Sequence, residues 1–281
     1  YLLVRQLSYY QMNNSGEFNM IINHGVRGSV PNPCEKNIIF GGNTPCVEIK
    51  TNQYQLIFDC GTGFSKVDFS NNLQSIIFIS HFHHDHIQGF AFNGFSSDLN
   101  KKIIVTSAHS NVEKTHKFLL NYYNTPYFPV DYINIINRFE FMSFEDVVNK
   151  FDDLQINTIN LNHPGNSSGY SIIKDKKKFC YLLDNEYKEI DTQKEQLIRF
   201  CDNSDTIIWD GMYLDKELID KKGWGHSSVE QGIEFSNQIR IKNFLISHHA
   251  PWRTDKEIEK LQQSISSNKV RFASENEVID F

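Results

Sequence analysis

The sequence predicts one domain of mixed strands and helices in which strands outnumber helices. Apolar runs of strand length recur along its 281 residues, and several end in a polar or ionisable side chain. Two hydroxyl-to-glutamate spacings further mark helix starts. At 40% hydrophobic and 13% aromatic, the chain has enough apolar residues for a buried core and too many for disorder.

In chain order, residues 1–19 read as an extension to which no role can be assigned, and residues 20–281 as the domain. The clearest strand-like runs are Leu56 to Phe58, Ile76 to Ile79, Ile103 to Val105, Ile156 to Leu161, Phe179 to Leu183, Thr206 to Trp209 and Phe244 to Ile246. They lead into Asp59, Ser80-His81, His163, Asp184, Asp210 and Ser247-His248. A rigid sheet fixes such residues at strand ends, and the following loops leave room for a ligand. Residues 121–150, with two prolines and several aromatics, read as a lid or insertion. Lys176-Lys177-Lys178 lies between two strand-like runs and reads as a solvated hairpin turn. Ser227-Ser228-Val229-Glu230 predicts a capping box opening a helix to about Arg240, and Thr254-Asp255-Lys256-Glu257 a second ending near Ser266.

Composition narrows the function classes. No run approaches a membrane span, and no secretory signal is expected near the start. Five cysteines without a C-x-x-C pair read as reduced thiols in a cytoplasmic protein. The net charge is −6, and no dense basic cluster stands beyond Lys176-Lys177-Lys178. A long nucleic acid, which calls for a basic footprint, is therefore not the expected partner.

The strongest chemical signal is His81-Phe82-His83-His84-Asp85-His86, an H-x-H-x-D-H motif directly after a strand-like run. Imidazoles and a carboxylate at this density suit divalent cations. In an extended H-x-H, both imidazoles fall on one side, so His81 and His83 can share an ion. A turn into helix would let Asp85 and His86 face another.

This motif resembles the signature of the metallo-β-lactamase superfamily, and later segments supply the remaining pieces in order. Asp59-Cys60-Gly61-Thr62-Gly63 is similar to the family's strand-end aspartate and glycine turn. His163, Asp184 and His248 match its third histidine, bridging carboxylate and last histidine. The resemblance implies an α+β fold, the αββα sandwich, with two mixed β-sheets flanked by helices. It also implies that His81, His83 and His163 hold one divalent ion, that Asp85, His86 and His248 hold a second, and that Asp184 bridges them. Zinc is the expected metal, with manganese and iron as alternatives. His24, His84, His109, His116 and His249 have no place in the pattern, although His84 and His249 can line the site.

Gly225-His226-Ser227-Ser228 resembles an element of ribonuclease Z and related phosphodiesterases, and Asp210 is similar in position to the acid that partners that histidine. The reading that follows is a dinuclear hydrolase acting on a small or cyclic phosphodiester of nucleotide size, with a hydroxide shared by the metals as nucleophile. His226 would contact a phosphate oxygen or protonate the leaving group, Asp210 would favour its charged form, and Asp85 would orient the nucleophile. Carboxylic-ester, lactone or thioester hydrolysis and tRNA 3′-processing are the alternative activities. A non-catalytic metal or ligand sensor is a further alternative. The resemblance implies a homodimer as the assembly. Arg27, in a glycine-containing segment, is expected either to bind phosphate or to fix its own loop.

Overall fold

A computed structural model describes residues 19–93, 102–129, 136–188 and 192–281. Residues 1–18 of the expected extension lie outside these. Strands β1 (Met20–Gly25), β2 (Cys46–Lys50), β3 (Tyr54–Phe58), β4 (Gln74–Phe78), β5 (Ile103–Thr106) and β6 (Phe139–Phe141) belong to a first sheet. Strands β7 (Gln155–Leu161), β8 (Ser167–Lys174), β9 (Lys177–Leu182), β10 (Ser204–Asp210), β11 (Ile241–Ser247) and β12 (Val270–Phe272) form a second. The last strand, β13 (Val278–Asp280), returns to the first sheet beside β1.

Both sheets are mixed. The seven-stranded order is β13-β1-β2-β3-β4-β5-β6, antiparallel from β13 to β3 and parallel from β3 to β6. The six-stranded order is β12-β11-β10-β9-β8-β7, parallel from β12 to β9 and antiparallel from β9 to β7. Between strands lie the helices α1 (His84–Ile87), α2 (Val112–Tyr122), α3 (Phe144–Lys150), α4 (Thr192–Cys201), α5 (Asp215–Leu218), α6 (Val229–Ser236) and α7 (Asp255–Ser264).

Alternation along the strands sorts the core into layers. Leu56, Phe58, Ile76 and Phe78 point toward the second sheet and meet Ile172, Phe179, Tyr181, Ile208 and Leu245. Phe58 centres this contact, with ring centroids 5.3 Å from Phe78, 5.2 Å from Phe179 and 5.4 Å from Tyr181. Ile57, Ile77 and Ile79 face the other way, onto Ile87 of α1 and Leu119 of α2. On the far side, Ile207, Trp209 and Phe244 pack with Leu197 of α4, Phe235 of α6 and Ile258 of α7. Covering both faces explains why the parallel strands read as unbroken apolar runs, and the layering is the αββα sandwich.

Several local expectations shift. The β8–β9 hairpin turns at Asp175 and Lys176, with φ of 50° and 67°, so Lys177 and Lys178 already belong to the strand. Helix α6 is capped one residue later than expected. Ser228 accepts from Gln231 N–H while Gln231 accepts from Ser228 N–H. Ser227 Oγ instead bonds Asn185 O, and Glu230 accepts from Asp215 N–H. The helix stops at Ser236 rather than Arg240, because the chain must enter β11 at Ile241. Glu257 accepts from Thr254 N–H as expected at the start of α7. The second half of the expected lid, from Phe139, is part of the sandwich. There β6 pairs with β5, and Val147 of α3 enters the inter-sheet core. Residues 130–135 lie outside the described residues. No helix among the described residues is long and apolar enough to cross a membrane.

Candidate metal centre

Parallel strands bring their carboxyl ends to one edge of each sheet, and the two edges meet. Asp59 follows β3, His81 follows β4, Asp184 follows β9, Asp210 ends β10 and His248 follows β11. Asp59, Asp184 and His248 have φ of 62°, 60° and 59°. This left-handed conformation is uncommon outside glycine and costs roughly 1–2 kcal/mol per residue. It bends the chain as each strand ends, and strain of this kind tends to collect at functional sites.

Asp184 sits at the centre. Its Oδ1 lies 3.8 Å from His81 Nε2 and 3.5 Å from His163 Nε2, while His163 Nε2 is 2.9 Å from His83 Nδ1. Its Oδ2 faces the other way, 2.7 Å from His86 Nε2 and 3.2 Å from His248 Nε2. Asp85 Oδ2 lies 3.2 Å from the same His248 nitrogen and 3.4 Å from the same His86 nitrogen. Thus the structure brings together His81, His83, His163 and Asp184 as one potential ligand set and Asp85, His86 and His248 as another. The two oxygens of Asp184 are divided between them.

The donor set fits divalent cations. His81 Nε2 is buried without a hydrogen-bond partner, and the 2.7 Å approach of His86 Nε2 to Asp184 Oδ2 lacks hydrogen-bond geometry. Buried polar atoms rarely stay unsatisfied, and convergent imidazole and carboxylate donors suit zinc-like ions. Burial pushes the pKa values of His81 and His163 below the ordinary histidine range, which favours the neutral ring that can ligate.

A second layer orients the rings. His86 Nδ1 lies 2.7 Å from Asp59 Oδ2, which also accepts from Ser80 Oγ at 2.7 Å and Tyr181 Oη at 2.7 Å. Ser80 N–H donates to Asp59 Oδ1 at 2.8 Å. His163 Nδ1 donates to Gly225 O at 2.8 Å, leaving Nε2 toward Asp184. Gly225 has φ +87°, and a Cβ there would stand 2.0 Å from His163 Nδ1. Gly28 packs in the same way on His248, where a Cβ would meet Nδ1 at 2.7 Å. Ser29 N–H donates to Asp85 Oδ2 at 2.7 Å. Sequence reasoning missed these close approaches because they join segments far apart in the chain.

The remaining expected residues also fall at this edge. His226 Nδ1 is 2.8 Å from Asp210 Oδ2 and 3.7 Å from Asp184 Oδ1, and its ring stacks on His248. Asp210 is fully buried and accepts from the N–H groups of Asp184 and Met212. Burial opposes a charge on His226, but the Asp210 carboxylate outweighs it and raises the imidazole to about 9. Arg27 settles between its two expected roles. It is fully buried, with Nε donating to Gly41 O at 2.7 Å and Nη1 to Arg253 O at 2.6 Å and Ala250 O at 3.2 Å. It fixes its own loop and ties it to the segment after His248. The unassigned histidines stay outside the ligand groups. His24 pairs with Glu48, and His249 Nε2 bonds Ala273 O.

The beta-lactamase superfamily domain model matches residues 54–249, more than half of the chain. The chain belongs to this superfamily. Ribonuclease Z of Thermoplasma acidophilum is 24% identical over 84% of this chain and 87% of its own length. The metallo-β-lactamase fold protein YhfI of Bacillus subtilis superposes with a TM-score of 0.67 at 16% identity, covering 94% of this chain and 100% of that one. A diphosphatase of the PhnP family gives 0.65 at 14% identity over 94% and 97%. The chain is thus a metallo-β-lactamase-fold hydrolase related to ribonuclease Z, with a candidate metal site at the edge where its two sheets meet.

Proposed function

We propose that this superfamily member is a two-metal phosphodiesterase acting on a nucleotide-sized or cyclic phosphodiester, with zinc as its metal. The observation that carries this reading is the His226–Asp210 pair beside Asp184. An ester or thioester hydrolase has less use for a buried imidazole held positive, whereas phosphodiester cleavage develops charge on phosphate oxygens and on the departing alkoxide. Bound cations would polarise the phosphate and lower the pKa of water. His81, His83, His163, Asp85, His86 and His248 would hold them, with Asp184 between. His226, charged at neutral pH, would hydrogen-bond a phosphate oxygen or give its proton to the leaving oxygen. Asp85, pinned by Ser29 N–H, would orient the attacking water.

The named activity of the ribonuclease Z relative supports phosphodiester chemistry, and that of the PhnP-family diphosphatase supports attack at phosphorus more broadly. The net charge of −6 favours the smaller substrate over tRNA. The experiment is initial-rate hydrolysis by metal-analysed protein of bis(p-nitrophenyl) phosphate, cyclic AMP, a precursor tRNA and p-nitrophenyl acetate. His226→Ala and Asp184→Ala are assayed beside wild type. Phosphodiester turnover lowered at least about 100-fold in His226→Ala is expected, in line with general acid–base contributions. Turnover of the acetate alone would overturn the reading, and turnover of the precursor tRNA alone would replace the small substrate by RNA.

A further inference from the structure

Next to the metal-ligand cluster lies a cavity of about 560 Å³ whose lining includes His84, Gln88, Phe92, Tyr122, Tyr127 and Phe128. We infer that this cavity is a subsite for a planar heteroaromatic group, a nucleobase, carried by the phosphodiester. The inference rests on the function proposed above and specifies its substrate class.

Position comes first. His84 stands between His83 and Asp85 in the metal-binding motif and opens α1, so the cavity begins one residue from the ligand set. Tyr122 Oη bonds His84 Nδ1, which ties the end of α2 to that motif. The volume falls within the usual range for small-molecule sites, roughly 300–1,000 Å³.

The walls then select the ligand. Phe92 and Phe128 meet edge to face at 5.6 Å, and Tyr123, whose hydroxyl bonds Ile87 O, braces Phe128 from beneath at 4.9 Å. Phe92 is 63% exposed and Tyr127 81% exposed, so two aromatic faces are left to solvent beside one opening. One exposed aromatic is ordinary, but several around a single cavity form a stacking platform. No Lys, Arg, Asp or Glu appears among the described residues lining the cavity. It would therefore not attract the phosphate, which belongs at the neighbouring cations. Gln88 and Asn121 in the lining supply amide groups suited to a base edge.

The test compares thymidine 5′-(p-nitrophenyl phosphate) with methyl p-nitrophenyl phosphate in metal-loaded wild type, Phe92→Ala and Tyr127→Ala. The ratio of the two kcat/KM values does not depend on how much enzyme is active. It is expected to fall about fivefold or more in each variant, mainly through KM for the thymidine compound, as loss of one stacking contact implies. A ratio that stays at the wild-type value in both variants overturns the inference. Saturation-transfer NMR with thymidine alone separates this idea from the chemistry. Thymidine contact in wild type that is lost in the double variant supports the subsite even if neither ester is hydrolysed, in which case only the phosphodiesterase reading fails. Absence of contact in wild type overturns the subsite.

Discussion

His226 Nδ1 lies 2.8 Å from Asp210 Oδ2, and that same oxygen accepts from the N–H of Asp184. One buried carboxylate therefore sets both the charge of the imidazole and the backbone position of the residue between the two ligand sets. The raised pKa of about 9 means that His226 is charged below that value and neutral above it.

A pH profile tests this relationship. If the proton on His226 is needed, kcat/KM for a phosphodiester should fall as pH rises through the pKa of His226, about 9 without metal and lower once cations occupy Asp184 and Asp85. Asp210→Asn removes the charge that raises the pKa, so the descending limb should move toward the ordinary histidine range near 6.5. A limb that stays in place in Asp210→Asn would show that another group sets it.

Metal removal should be felt by the whole sandwich. His81, His83, Asp85 and His86 follow the first sheet's β4, whereas His163, Asp184 and His248 follow strands of the second. An ion held between them joins the layers. A ligand at a hundredfold its Kd stabilises by about 2.7 kcal/mol. Melting by scanning calorimetry with and without EDTA should show a lower Tm after chelation and recovery on adding zinc. An unchanged Tm, with metal loss verified by elemental analysis, would argue against cations bridging the layers.

Arg27→Met should destabilise the fold and loosen the second ligand set. Three backbone carbonyls lose a charged donor, and such bonds contribute roughly 1.5–3 kcal/mol each. Because other donors or water can replace part of that, we expect about 3 kcal/mol lost in urea denaturation. Metal content should fall toward one ion per chain, since the loop carrying Gly28 and Ser29 supports His248 and Asp85. Full stability with two ions bound would refute this role.

Gly225→Ala places a methyl group 2.0 Å from His163 Nδ1. His163 should be displaced and the first ligand set weakened, with metal retention lowered by about 10- to 100-fold, the range for disturbed outer contacts of a ligand. Competition with a fluorescent zinc chelator measures it. Retention equal to wild type would mean that the loop yields instead.

The candidate ligands are legible in sequence because the motif starting at His81, and His163, Asp184 and His248 after it, stand just past apolar runs, and strands buried on both faces are the easiest elements to read. Strand β8 was harder. It begins Ser167-Ser168-Gly169 and owes its place to pairing with β7 and β9 rather than to apolar content. Helix α4 was missed since its exposed face is polar and only Leu197 and Cys201 are buried. Arg27 illustrates the limit. Phosphate binding and loop fixation are the same side chain in sequence, and only the positions of Gly41, Ala250 and Arg253 distinguish them.

The left-handed backbone at Asp59, Asp184 and His248 carries one more consequence. Each of these positions answers two demands at once, a side chain that ligates or orients a ligand and a turn that most residues resist. Alanine there would remove that side chain while keeping the strain, and would report damage from both as one number. Asparagine at the two aspartates tolerates the turn while removing the charge and turning one acceptor oxygen into an amide donor. The difference between the two substitutions separates the chemistry of the site from the geometry that delivers it.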